Sequence, residues 1–202
     1  MFHRIFMVIL FLVCAALAYS IVQVSLAKHS AQKTEHGYVS GERDSDLTLI
    51  EFIDYACGQC QNLHPILMRS LEQDGDILYV VRPVFSGPDE NGTKAGRLVY
   101  AAERQGKFAE AHKILIENYR TIDEAYINSL VQVLELDGEQ LRADMADEAI
   151  DEMLMDNTTN LQRLGGRVIP SLLLNGELMV QVAQDLPSSQ ELLGLFNRAR
   201  AL

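Results

Sequence analysis

The stretch LTLIEFIDYACGQCQNLHPILMRSLEQ, residues 47–73, decides the fold. Its first eight residues, LTLIEFID at 47–54, are mostly aliphatic, β-branched and aromatic, the composition of a buried strand. Glu51 is the odd insertion in that apolar run. Tyr55-Ala56 leads into Cys57, and from about Cys57 to Gln73 the residues Leu63, Ile66, Leu67 and Leu71 recur at helical spacing. Pro65 inside this helix predicts a kink, and Asp74-Gly75-Asp76 ends it. Two cysteines therefore sit where a strand gives way to a helix. Backbone N–H groups at a helix start lack intrahelical partners, and the dipole is positive there. A thiolate at Cys57 is favoured, with a pKa below the free value of about 8.5. Cys60, one turn on and facing inward, is the expected resolving thiol.

Outward from this unit, ILYVVR at 77–82 reads as a second strand. GPDENG at 87–92 breaks the chain, and 94–105 and 107–119 show helical spacing on either side of Gly106. Thr121 with Glu124 forms a capping box for a helix to about Leu134. Asp137-Gly138 separates it from 139–145, and 148–164 reads as a further helix ending at Gly165-Gly166. This region is too long for a simple crossover and predicts an inserted helical subdomain over about 92–165. SLLLNGELMVQV at 171–182 reads as a hairpin turning at Asn175-Gly176. Ser188 and Glu191 make a second capping box for a last helix to about Ala199. Pro170, entering a strand after a Gly-Gly break, is a candidate cis bond; an ordinary trans proline at a strand edge fits the residues equally. The fold class is α/β.

The N-terminus is apolar from Ile5 to Ala27, 23 residues, with Ser20, Gln23 and Ser25 as modest interruptions and Arg4 in front. Roughly 20 helical residues cross a bilayer core. The segment 1–27 is expected to be a signal peptide or signal anchor. Ala16-Leu17-Ala18 and Ser25-Leu26-Ala27 both offer small-x-small cleavage sites, so cleavage and retention are open, with the long run tipping towards an anchor at residues 5–27. Val13 before Cys14 does not suit a lipid-modified cysteine, and Cys14 reads as a small apolar residue. Residues 28–46, KHSAQKTEHGYVSGERDSD, are polar and aperiodic and read as a linker before a domain at 47–202.

The chain has 202 residues, a net charge of −11 and three cysteines. Arg4 is the one Asp, Glu, Lys or Arg before Lys28, so the acidity belongs to the body. That balance argues against nucleic acid and against electrostatic docking on anionic lipid, because both need clustered Lys and Arg. With Cys14 in the apolar run, no further cysteine remains for a structural disulfide framework or a four-cysteine zinc site. His64, one turn past Cys60, suggests a metal ligand only weakly, since a fourth ligand is missing; no metal and no cofactor are expected. His112 reads as a surface histidine, and Asp54 and Tyr55 as residues that shape the site's surface. Asn91-Gly92-Thr93 and Asn157-Thr158-Thr159 match the glycosylation pattern, which matters only in a eukaryotic secretory route.

Cys57-Gly58-Gln59-Cys60 followed by Pro65-Ile66-Leu67 resembles the active-site helix of the thioredoxin superfamily. Ile169-Pro170-Ser171-Leu172-Leu173-Leu174 resembles the strand opened by that family's cis-proline. The lead-in Leu47-Thr48-Leu49-Ile50-Glu51-Phe52, with Ala101-Ala102 and Gly106-Lys107-Phe108, is similar to the exported DsbA-like members and their helical insertion. The likeness covers roughly 41–200. It implies a thioredoxin fold and a thiol–disulfide oxidoreductase working through Cys57 and Cys60. It further implies a cis Pro170 facing the pair, and Ile169, Gly58 and Gln59 in contact with substrate. Glu51 then takes the place of the acidic residue beneath the active site and relays a proton as Cys60 is activated. Exported proteins with thiols or disulfides are the expected substrates, in the periplasm or another extracytoplasmic space, with a membrane redox partner. Departures bear on the direction of electron flow: Gly58-Gln59 replaces Pro-His between the cysteines, and the chain has no tryptophan. A weaker oxidant is expected. A redox-inactive scaffold or chaperone of the same fold is the alternative.

Overall fold

The computed structural model describes residues 2–33, 36–85, 90–118 and 120–202. A long N-terminal helix, α1 (Phe2–Ala31), precedes a short strand β1 (Tyr38–Ser40) and the strand β2 (Leu47–Ile53). The cysteine helix α2 (Gly58–Asp74) and strand β3 (Ile77–Pro83) complete a β–α–β unit. Five helices follow: α3 (Glu90–Glu103), α4 (Phe108–Glu117), α5 (Glu124–Leu134), α6 (Gly138–Met145) and α7 (Glu148–Arg163). The hairpin β4 (Ser171–Leu174) and β5 (Leu178–Gln181) leads to α8 (Ser189–Arg200).

The sheet order is β1-β3-β2-β4-β5. β2 and β3 are parallel, the other pairs antiparallel. Alternation along β2 divides the core, since successive side chains leave opposite faces. Leu47, Leu49 and Ile53 pack with Leu63 and Leu67 of α2, Phe196 of α8 and the apolar sides of α3 and α4. Ile50 and Phe52 pack on the other face with Ala31 of α1 and Leu161 of α7. Each fully buried Leu or Ile of this kind contributes roughly 1.5–3 kcal/mol. The hairpin turns as expected, with φ of 48° at Asn175 and 70° at Gly176. The Ser188–Glu191 capping box is formed at the start of α8.

Three expectations change. The stretch 28–46 is not merely a linker: α1 runs to Ala31, and β1 adds an antiparallel edge to β3. The guanidinium of Arg82, buried on β3, donates to the carbonyls of Ala31, Lys33 and His36 and so holds the turn between α1 and β1. A three-residue edge strand held through its backbone leaves no periodic side-chain pattern to read. The cap of α5 is Asp123, whose side chain accepts from the Tyr126 N–H at 2.8 Å, rather than Thr121. The break expected at 87–92 falls partly outside the described residues, and 90–92 already belong to α3. There the Asn91 Oδ1 accepts from the Ile122 N–H at 2.6 Å.

Candidate active site

Cys57 is the N-cap of α2, with extended φ and ψ of −85° and 113°. The turn before it is closed locally. The Cys57 N–H donates to the Asp54 carbonyl at 3.0 Å, the Ala56 N–H to Asp54 Oδ1 at 2.8 Å, and Gln61 Nε2 to the Tyr55 carbonyl at 3.0 Å. Asp54 and Tyr55 thus hold the loop that presents the first sulfur. Cys57 is half-buried and Cys60 is fully buried beneath it; both are free thiols.

The two sulfurs are electrostatically unequal. The Cys57 thiol is lowered to about 6, first by a hydrogen bond from the Cys60 thiol, then by the N–H groups of Cys60 and Gln59, against the opposing effect of partial burial. The expectation of an easily ionised Cys57 holds in direction, but the largest cause is its partner's S–H rather than the helix amides. Cys60 is pushed far up by burial, by donating to Cys57, and by the charges of Cys57 and Glu51.

Glu51 projects from β2 towards α2 and is 1% exposed. The Tyr79 hydroxyl donates to its Oε2. Burial raises its carboxyl to about 7 against that hydrogen bond, and the neighbouring Cys57 raises it further. The Ile169–Pro170 bond is cis. Pro170 is buried at the head of β4, and the Ile169 carbonyl lies 3.6 Å from Cys57 Sγ, which donates to it. Gly58 is exposed at the helix tip, whereas Gln59 is engaged: its Nε2 donates to the Gln184 carbonyl at 2.9 Å, tying the start of α2 to the loop after β5. Cys57, Cys60, Glu51, Ile169 and Pro170 therefore converge on one place.

The thioredoxin family, described simply as "Thioredoxin", matches residues 33–193. The chain belongs to this family. Among thioredoxin-like solved structures, an oxidoreductase from Silicibacter pomeroyi DSS-3 superposes with a TM-score of 0.72 at 24% identity, covering 83% of this chain and 95% of that one. The thiol-disulfide exchange protein alpha-DsbA2 from Wolbachia pipientis gives 0.69 at 21% identity, covering 90% and 97%. These likenesses bear out the thioredoxin fold. A probable disulfide bond formation protein D from Bacillus anthracis is 24% identical over 190 residues, 86% of each chain. The chain also matches Na(+)/H(+) antiporter NhaA of Herminiimonas arsenicoxydans at 26% identity over 143 residues, 70% of this chain, while spanning 23% of the antiporter's length.

Three side chains of this thioredoxin domain were not singled out by the sequence as site residues. Tyr79 lies on β3 opposite Leu49, on the same face as Glu51, where a diagonal cross-strand neighbour belongs. The strand pattern at 77–82 is the signal that could have found it. His112, expected at the surface, is 1% exposed. Its Nδ1 meets the Tyr55 hydroxyl at 3.1 Å, and it stacks on Phe108 with ring centroids 6.3 Å apart. His64 packs against His112 at 5.3 Å between ring centroids. Among the described residues no group of three or more His, Cys, Asp or Glu side chains is arranged to hold a metal ion.

Proposed function

We propose that this chain is an extracytoplasmic thiol–disulfide oxidoreductase, carried at a membrane by α1 and acting on exported proteins. The observation that carries the reading is the opposed pair of thiols, Cys57 near 6 and Cys60 far above its ordinary value, 3.6 Å from the carbonyl before a cis-proline. A low-pKa, partly exposed sulfur is both the attacking nucleophile and the better leaving group; a buried, protonated one waits. In the reducing direction the Cys57 thiolate attacks a substrate disulfide, forming a mixed disulfide and expelling one substrate thiolate. Cys60 then loses its proton to Glu51, its sulfur bonds to Cys57 Sγ, and the second substrate thiolate leaves. Oxidation of a substrate dithiol runs the same steps backwards.

The Ile169 carbonyl is within reach of an extended substrate backbone bound beside Cys57, in the manner of strand addition. Gly58, with no side chain over the sulfur, leaves the approach open. Mean hydropathy over the most apolar part of α1 is 2.8, and its length suffices to cross a membrane. Retained as an anchor, it would hold the domain at high effective concentration near a membrane redox partner. Cys57→Ser is expected to abolish dithiol–disulfide exchange, and Cys60→Ser or replacement of Pro170 to accumulate mixed disulfides with client proteins. Full activity of Cys57→Ser would sink the mechanism. A cysteine pair that never cycles across glutathione buffers would favour the scaffold alternative.

A further inference from the structure

We propose that His112 and His64 form an internal proton path that connects Glu51, beneath the cysteine pair, to solvent at the outer side of α4, and that both are positioning residues for the step made by Cys60. The proposal rests on the thiol–disulfide reading above. That step returns a proton to a carboxyl that is 1% exposed, so the proton must leave through other buried groups. The structure supplies such a series. The Tyr79 hydroxyl bonds Glu51 and its ring packs edge-on against His112 at 6.5 Å. The Tyr55 hydroxyl, close enough to Glu51 and Cys60 to feel their charges, is bonded to His112 Nδ1. Beyond it, His112 Nε2 and His64 Nδ1 are both buried without a hydrogen-bond partner among the described residues, on rings 5.3 Å apart. Buried polar atoms are almost always satisfied, and two orphans on adjacent rings have the chemistry that a bridging water takes. His64 is the outer member. The charges it feels are Glu117 and Lys113, on the exposed side of α4.

The rings packed on His112 are Tyr55, just past β2, His64 of α2, Tyr79 of β3 and Phe108 of its own helix, and Tyr55 in turn feels the charges of Glu51 and Cys60. Burial holds His112 down to about 3, so its ring is neutral at ordinary pH, and burial lowers His64 as well. A neutral imidazole carries one donor and one acceptor, which lets it pass a proton on by exchanging tautomers.

The experiment uses the full-length reduced chain in detergent, with Cys14→Ala so that only the pair reacts, and an aromatic disulfide, dithiobis-nitrobenzoate. Cys57 thiolate attacks the reagent and expels one nitrothiobenzoate; Cys60 then displaces the second, forming the Cys57–Cys60 bond as its proton passes to Glu51. Stopped-flow absorbance separates the two releases. Below pH 7 Glu51 must shed a proton before it can take that of Cys60; above it the carboxylate is ready. His112→Phe, which keeps the stack on Phe108, is expected to slow the second release about tenfold or more at pH 6 and leave it unchanged at pH 8.5, with the first release unaffected at both. His64→Leu should do the same and decides the matter if His112→Phe does not fold. An unchanged second release at pH 6 overturns the proposal, and so does equal slowing at both pH values, the mark of a disturbed fold. A Cys14→Ala chain that never releases the second nitrothiobenzoate overturns instead the thiol–disulfide reading beneath it.

Discussion

Replacing Glu51 by Gln should make the domain more stable at alkaline pH, against the usual effect of core substitutions. The carboxyl is 1% exposed, and burial lifts it from 4.5 to about 7. A group whose folded pKa is raised contributes stability that is fully present below its unfolded pKa and lost as pH rises through the folded one. The window here runs from about 4.5 to about 7. At about 1.4 kcal/mol per tenfold change in protonation, the wild type should lose about 2.5 kcal/mol from this group between pH 5 and pH 8. Gln cannot ionise, yet its amide oxygen still accepts from the Tyr79 hydroxyl. The difference in unfolding free energy, variant minus wild type, should therefore climb by that amount over the window, other titrations cancelling. Urea unfolding of both proteins at pH 5, 6, 7 and 8 measures it. Repeating the series with the Cys57–Cys60 disulfide formed separates the causes. Burial is the largest of them, so most of the climb should survive loss of the Cys57 thiolate. A flat difference from pH 5 to pH 8 would refute the premise that this carboxyl is desolvated.

Cys60→Ala removes the strongest donor to the Cys57 thiolate, so the thiolate absorbance near 240 nm should titrate at least about one pH unit higher than in the wild type, and Cys60→Ser, which keeps a hydroxyl donor, in between; an unmoved midpoint would show that the helix amides alone set it. Cys57 near 6 lies between thiolates of about 7 and about 3.5 whose pairs have potentials of about −270 and −120 mV, which places this pair near about −230 mV; a glutathione equilibrium above about −150 mV would contradict that. Arg82→Leu strips three backbone carbonyls at the α1–β1 junction of their donor and should cost about 3 kcal/mol in urea unfolding, against well under about 1 kcal/mol if residues 28–46 were a loose tether. Gly37→Ala should cost about 2–3 kcal/mol, because φ is 77° and a Cβ there would collide with the Val81 carbonyl; a neutral result would deny that this segment is seated on β3.

What was legible in the sequence was whatever side-chain pattern records. β2, α2 and the N-cap position of Cys57 follow from the apolar run and helical spacing, and Asn175-Gly176 and Ser188–Glu191 from turn and cap chemistry. What was not legible is carried by backbone or by distant partners. β1 is held by its main chain, and its neighbour Gly37 is seated by its N–H on Glu103 Oε1 at 2.9 Å. Asp123 outcompeted Thr121 as a cap, because either residue type satisfies the same rule and only the chain path chooses. His112 was misread for a different reason. A polar residue on an amphipathic helix is assigned to solvent unless a partner is known, and its partner, Tyr55, is 57 residues away.

The helical insertion therefore does more than enlarge the domain. The shift of Glu51 depends on how thoroughly its surroundings exclude water, and β2, β3 and α2 alone leave the far side of Tyr55 and Tyr79 uncovered. α4 covers it: Ala111, Leu115 and Ile116 join the core around Cys60, while His112, stacked on Phe108, closes over the two tyrosines. α3 in turn backs Phe108 with Tyr100, whose hydroxyl accepts from Asn157 of α7 at 2.7 Å. The chain of contacts from α7 through α3 and α4 ends at the carboxyl that faces the buried sulfur. A change that loosens α4 from the sheet should then lower the pKa of Glu51 before it alters Cys57, whose lowering comes from donors on its own helix, Cys60 and Gln59. In this arrangement the two sulfurs are tuned by different parts of the fold: the first by the start of α2, the second by the insertion that seals the site from below.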